Sequence, residues 1–236
     1  MSEETTTAKP KKARRDPEGT RRAILEVAGK LLAKDGPEGL SVSQVAQLAG
    51  INRGTAYHHF PTREMLLDAT KAWVSEQLCL EVFGDPDDEA HASRRDPRSV
   101  PEKLAHFAMA NPEFGRVWLF DLLSSSQPSD DPFWKQYKAH VDRFAVTELA
   151  QPGIDTEVHA IRMLVGVFLW PVWAHAHANS PAELKKMADR YTDEALRYNL
   201  YGAMRKEMFP ELDAAVISKA KTKTKAKAKA SSKVAK

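Results

Sequence analysis

Between residues 53 and 63 the chain gathers hydrogen-bond donors and aromatic rings in place of core residues: Arg53, Thr55, Tyr57, His58, His59 and Arg63. A guanidinium presents a planar fork of N–H groups that fits a guanine edge or a phosphate in two-point fashion. Hydroxyls and imidazoles address single phosphate oxygens, and Gly54 has no side chain to keep a partner surface at a distance. No nucleophile is set beside a base here, so the chemistry on offer is recognition of a polyanion. Other candidates carry less. Ser124-Ser125-Ser126 lacks the Gly-x-Ser-x-Gly context of a nucleophile turn and reads as a helix end. His175 and His177, with His140 or His159, could be imagined around a metal. Residues two apart face different sides of a helix, however, and no cysteine or carboxylate cluster joins them, so no metal is expected. Cys79 is the single cysteine, which excludes an internal disulfide and fits a reducing cytosol.

The donor cluster sits in Leu40 to Leu67, LSVSQVAQLAGINRGTAYHHFPTREMLL. Ser41 is placed to cap a short helix, and Gln44 three residues on can return the bond. That helix turns Val42, Val45, Ala46 and Ala49 inward. Ala46 is small enough for a second helix to cross closely. Gly50 permits the left-handed backbone of a tight turn, Ile51 anchors it, and Asn52 can cap the next helix. The second helix is expected from about Arg53 to His59, with Phe60 as its anchor. This is a helix-turn-helix spacing, in which the second helix enters a DNA major groove.

The run GINRGTAYHHFPTREMLL resembles the signature of the tetracycline-repressor (TetR) family, and Arg21, Ile24, Leu25, Ala28, Leu32, Gly36 and Leu40-Ser41 fall where that family's first helix and loop lie. The likeness covers residues 18–78. Ala56 departs from it, standing where the family usually has leucine, a loss of apolar contact worth roughly 2 kcal/mol if fully buried. Looser packing is the expected consequence. Position by position, the resemblance implies that Ser43, Arg53, Gly54 and His58 reach bases, while Thr55, Tyr57, His59 and Arg63 hold the phosphate backbone. Base contacts specify sequence and phosphate contacts fix register.

Helix start signals recur along the chain. Asp16-Pro17, Asn111-Pro112, Asp131-Pro132 and Ser180-Pro181 each set a capping side chain before a proline that tolerates the first helical turn. Apolar residues recur at three and four in Ile24, Val27, Ala28, Leu31, Leu32 and in Trp134, Tyr137, Val141, Phe144, Ala145. Two long final helices are expected near 154–178 and 181–209, the second with two apolar stripes, and Pro171 is expected to kink the first. No alternating strand pattern competes. The fold class is therefore all-α: a three-helix helix-turn-helix domain over 18–78 (motif 41–60), then a larger helical domain over 84–216, to which the resemblance assigns ligand binding and dimerisation.

Hydrophobic residues make up 42% and charged residues 28%, an ordinary soluble composition, and the longest apolar stretch, Met163 to Ala174, is too short for the roughly twenty residues a bilayer needs. The N-terminus lacks the apolar core of a signal peptide. A cytoplasmic location without membrane contact is expected. Charge is uneven. Residues 218–236 hold eight lysines and no acid, so the net +3 leaves −5 for the remainder. A disordered basic arm is expected at 1–15 and a disordered lysine-rich tail at 217–236.

The resemblance further implies a homodimer reading a near-palindromic double-stranded operator, with the C-terminal helices enclosing an effector. Phe107, Phe114, Trp118, Trp134, Tyr137, Met163, Val167 and Trp170 are the candidate pocket residues, and their aromatic and apolar character points to a small hydrophobic effector and to no cofactor. The expected role is a transcriptional repressor released by that effector. The alternative is an architectural DNA-coating protein bound through its lysine tail. An enzyme is not expected.

Overall fold

The computed structural model describes residues 16–84, 99–219 and 222. Among these every regular element is a helix, apart from one isolated antiparallel bridge between Ala150 and Met204. The expected arm at 1–15 and most of the lysine-rich segment lie outside the described residues. Residues 217–219 and 222, expected to be disordered, are instead helical, the first three continuing a helix that begins at 210. The chain divides into two compact units, 1–70 and 71–236.

The first unit holds α1 (Pro17–Asp35), α2 (Val42–Leu48), α3 (Arg53–His59) and the beginning of α4 (Arg63–Phe83). The first three helices start on caps that the sequence announces. Asp16 Oδ1 accepts the Gly19 amide at 2.9 Å, Ser41 Oγ accepts that of Gln44 at 3.2 Å, and Asn52 Oδ1 accepts that of Gly54 at 2.8 Å. These bonds satisfy amides that lack a helical partner. Ile24, Leu25, Ala28, Leu31 and Leu32 of α1 are buried, as are Val42, Val45 and Ala46 of α2 and Ala56, Phe60 and Leu66. Gly50 has φ 65°, where a side chain would cost about 1–2 kcal/mol, and the Ile51 amide closes the turn on the Ala46 carbonyl at 2.9 Å.

The second unit holds the rest of α4, α5 (Ser99–Ala110), α6 (Pro112–Ser124), α7 (Pro132–Ala145), α8 (Thr156–His177) and α9 (Pro181–Gly202). Asp131, Asp155 and Ser180 cap α7, α8 and α9. Asn111 does not cap α6; its side-chain amide donates back to the Phe107 carbonyl at 3.1 Å. Phe133 and Phe168 lie fully buried, with Trp118 edge-on to the first at 5.7 Å and tilted over the second at 5.1 Å. α6 can approach α8 this closely because Gly115 faces the Phe168 ring, which a Cβ would meet at 2.8 Å.

α8 runs unbroken through Pro171, whose ring is buried. The last long helix ends at Gly202, short of the expected 209. The reason is a competing pairing, in which the Gln151 amide donates to the Ala203 carbonyl at 2.8 Å and the Arg205 amide to that of Leu149 at 2.9 Å. The chain then turns at Lys206–Met208, and the 210–219 helix packs Val216 beside Leu200 and Met204.

Candidate nucleic-acid interface

α3 is built to be presented. It is seven residues long and only Ala56 is buried; Arg53, Gly54, Thr55, Tyr57 and His58 are exposed and His59 is half-buried. Among the described residues the Arg53 guanidinium has no hydrogen-bond or ionic partner, so its fork is available to an incoming acceptor. Tyr57 stands 44% exposed, with its hydroxyl 3.1 Å from Ser43 Oγ on α2. That bond joins two residues the sequence nominated separately and orients the phenol. Gly54 has a second reason to be glycine, since a Cβ there would sit 3.2 Å from the capping Asn52 oxygen. His59 lies between the rings of His58 and Phe60, at centroid distances of 6.0 and 6.3 Å, and Arg21 of α1 stacks over Phe60 at 5.2 Å.

Arg63 is placed differently from the other nominated donors. Its Nε donates to the Leu40 carbonyl at 3.1 Å and its Nη2 to the Pro37 carbonyl at 2.5 Å, with Glu38 at 3.5 Å and Glu64 at 3.7 Å. The guanidinium therefore ties the start of α4 to the turn before α2. Sequence reasoning had no signal for this, because the two acceptors are backbone carbonyls 23 and 26 residues away. The Glu64 carboxyl sits below its ordinary range because the helix-start amide and Thr62 hydrogen-bond it.

The candidate effector residues fall into separate groups. Phe107 and Phe114 meet at 5.3 Å, and Trp73 adds a third ring at 5.3 Å from Phe114. Trp118 and Tyr137 pack against Phe133, while Trp170 lies 5.9 Å from Tyr191 and donates its indole N–H to the Met187 carbonyl at 3.0 Å. Trp134 and Val167 are buried and Met163 half-buried. A residue not nominated from the sequence joins the second of these groups: Phe83 reaches Phe133, Tyr137 and His140 at 6.2, 6.5 and 5.8 Å. Phe133 could have been found from its four-residue spacing to Tyr137. Tyr191 falls on an apolar stripe of its helix by spacing, while nothing local marks Phe83. Burial pushes the Tyr137 and Tyr191 hydroxyls above the ordinary tyrosine range and the Cys79 thiol up to about 11, so none of the three ionises near neutrality.

The four histidines are engaged apart from one another. His175 Nε2 lies 3.1 Å from the Met109 carbonyl, and His177 stacks on Trp173 with its Nδ1 2.7 Å from that residue's carbonyl. Burial, seconded by Arg143 and Arg162, holds His140 and His159 below the usual histidine range. Among the described residues no group of three or more histidine, cysteine or carboxylate side chains is near enough to hold a metal.

Comparison with known proteins agrees with this geometry. Residues 24–70 match the family model for bacterial regulatory proteins of the tetR family. The HTH-type transcriptional regulator CymR of Pseudomonas putida is 39% identical over 61 residues, covering 23% of this chain and 30% of the relative. The HTH-type transcriptional repressor AcnR of Corynebacterium diphtheriae is 30% identical over 107 residues, 42% of this chain and 55% of the relative. This chain thus spans from about a third to about half the length of these curated relatives. The crystal structure of AibR with isovaleryl coenzyme A and operator DNA matches over 74% of this chain and 96% of that one, at a TM-score of 0.54 and 19% identity, a likeness of fold. Residues 24–70 thus match the tetR-family helix-turn-helix segment, and the chain as a whole shares its all-helical fold with AibR.

Proposed function

We propose that this chain is a sequence-specific DNA-binding regulator of transcription, a homodimer that represses at a near-palindromic operator and leaves it on binding a small hydrophobic effector. The observation that carries the reading is the outward face of α3, where Arg53, Thr55, Tyr57 and His58 project from a helix that contributes only Ala56 to the core. A helix this exposed gains little from its own fold, and its side chains match what a major groove offers. Arg53 is assigned to a guanine edge and Ser43, Gly54 and His58 to neighbouring bases. Thr55, Tyr57 and His59 are assigned to phosphates, and Arg63 chiefly to holding the unit together.

Dimerisation is supported by α8. It is long and apolar enough by length and composition to cross a membrane, yet only 33% of its most apolar window is buried. Val158, Ile161, Leu169, Val172 and Trp173 stay exposed at helical spacing, and Tyr198 and Tyr201 of α9 add to them. An apolar stripe of this kind on a helix otherwise packed against α5, α6, α7 and α9 is suited to a second copy of itself. The buried aromatic groups support an apolar effector; the AibR structure holds operator DNA together with isovaleryl coenzyme A, a ligand apolar at its acyl end alone.

The test is Arg53→Ala, with operator and random DNA measured side by side. Loss of a two-point guanine contact worth about 1–3 kcal/mol should cut the operator-to-random affinity ratio roughly 5- to 150-fold. An unchanged ratio refutes the assignment.

A further inference from the structure

Two of the aromatic groups carry a hydroxyl into the packing of α7, α8 and α9. Tyr137 of α7 is only 5% exposed and packs on Phe133, while Tyr191 of α9 is half-buried beside Trp170. The indoles of the same groups are satisfied, Trp118 by the Asp131 carboxylate and Trp170 by the Met187 carbonyl. Among the described residues neither tyrosine hydroxyl makes a hydrogen bond. A buried phenol normally finds a partner, and one left without it costs free energy. The fold makes a place for the Tyr191 hydroxyl, since a Cβ at Gly166 of α8 would meet it at 2.9 Å. The two phenols also lie close enough to act on each other, Tyr191 adding to the burial that raises Tyr137. Among the described residues no cationic group contributes at either one. Both therefore stay neutral, as donors with no positive charge beside them.

We propose that Tyr137 and Tyr191 form the polar end of the effector site, donating from α7 and α9 to one neutral carbonyl oxygen on an otherwise apolar ligand. The proposal rests on the effector reading above and narrows it to a class. A pure hydrocarbon would leave both donors unpaired in a dry site, and a carboxylate would be desolvated with no cation to balance it. A neutral carbonyl has two lone pairs and can accept from both hydroxyls at once. Phe133 and Trp170, which flank the two phenols, offer apolar contact to the rest of such a ligand.

The experiment uses the full-length chain with phenyl alkyl ketones from acetophenone to hexanophenone. Each is paired with the alkylbenzene in which CH2 replaces C=O, and 3-phenylpropanoate is the charged comparison. Affinities are read by calorimetry for the unaltered chain, Tyr137→Phe and Tyr191→Phe. The tightest ketone should bind the unaltered chain at least fivefold more strongly than its alkylbenzene. Each variant should weaken that ketone roughly 2- to 12-fold and leave the alkylbenzene unchanged. Thermal unfolding without ligand should be unchanged or raised in both variants, because no bond is removed. Equal affinity for ketone and alkylbenzene, binding of no ketone, or tighter binding of 3-phenylpropanoate overturns the proposal. So does a marked loss of thermal stability in either variant, which would mean that the hydroxyl serves an internal bond. A ketone that binds as described and leaves operator affinity unchanged refutes the effector-release reading instead, and the site stands.

Discussion

Arg63 and Arg53 are ten residues apart and chemically identical, yet their surroundings differ. Arg53 stands free among the described residues on α3, whereas the Arg63 fork is closed on the Pro37 and Leu40 carbonyls. Arg63→Ala should therefore lower the unfolding free energy by about 2 kcal/mol, read by denaturant titration, because two partly buried carbonyls lose a charged donor. Arg63→Lys should recover little of this, since an ammonium cannot reproduce the two-pronged geometry. A stability unchanged by either substitution, with DNA affinity reduced, would return Arg63 to the phosphate role implied by the resemblance. The contrast also marks how far residues are legible in sequence. Asp16, Ser41, Asn52 and Gly50 act on atoms within a few positions of themselves, so residue type and spacing announce them. Arg63 acts across 23 and 26 residues, and only folding reveals its partners.

At the scale of helices, α7 and α8 carry histidines whose protonation the fold resists. His140 is half-buried against the Phe83 ring and near Arg143; His159 is half-buried near Arg162. Both are held below the ordinary value of 6.5. The unfolded chain then takes up the proton first as pH falls. These groups contribute nothing adverse above about pH 6.5, and stability is lost as pH drops below that toward their folded values. Unfolding free energy should decline from pH 7 to pH 5, and His140→Phe, which keeps a ring against Phe83, should flatten part of that decline. An identical pH profile for the variant would show that the ring is protonated in place at no cost. Helix ends were the less legible part of this unit. Periodicity extended the final helix to 209, but the Ala203 and Arg205 backbone pairs with residues 149–151 and stops it at Gly202. The second apolar stripe, Leu196 and Leu200 of α9 with Ala203 just beyond it, turns into its own core, whereas α8 leaves Val158, Ile161, Leu169, Val172 and Trp173 exposed. Apolar spacing says that a face is covered; it does not say by which chain.

For the whole molecule, the order of helices and the recognition helix could be read from sequence because both are written in local caps, turns and periodicities. The aromatic core could not be sorted into pocket and packing, because Phe107, Trp118 and Trp170 take their neighbours from helices distant in sequence. The proposed function requires a two-fold assembly that presents two copies of α3 to one duplex. The most direct measurement is selection of bound duplexes from a random-sequence pool by the full-length chain at moderate salt. The account predicts an inverted repeat, with enrichment that disappears for Arg53→Ala. Recovery of duplexes with no shared motif, or of an isolated half-site with no symmetric mate, would contradict it.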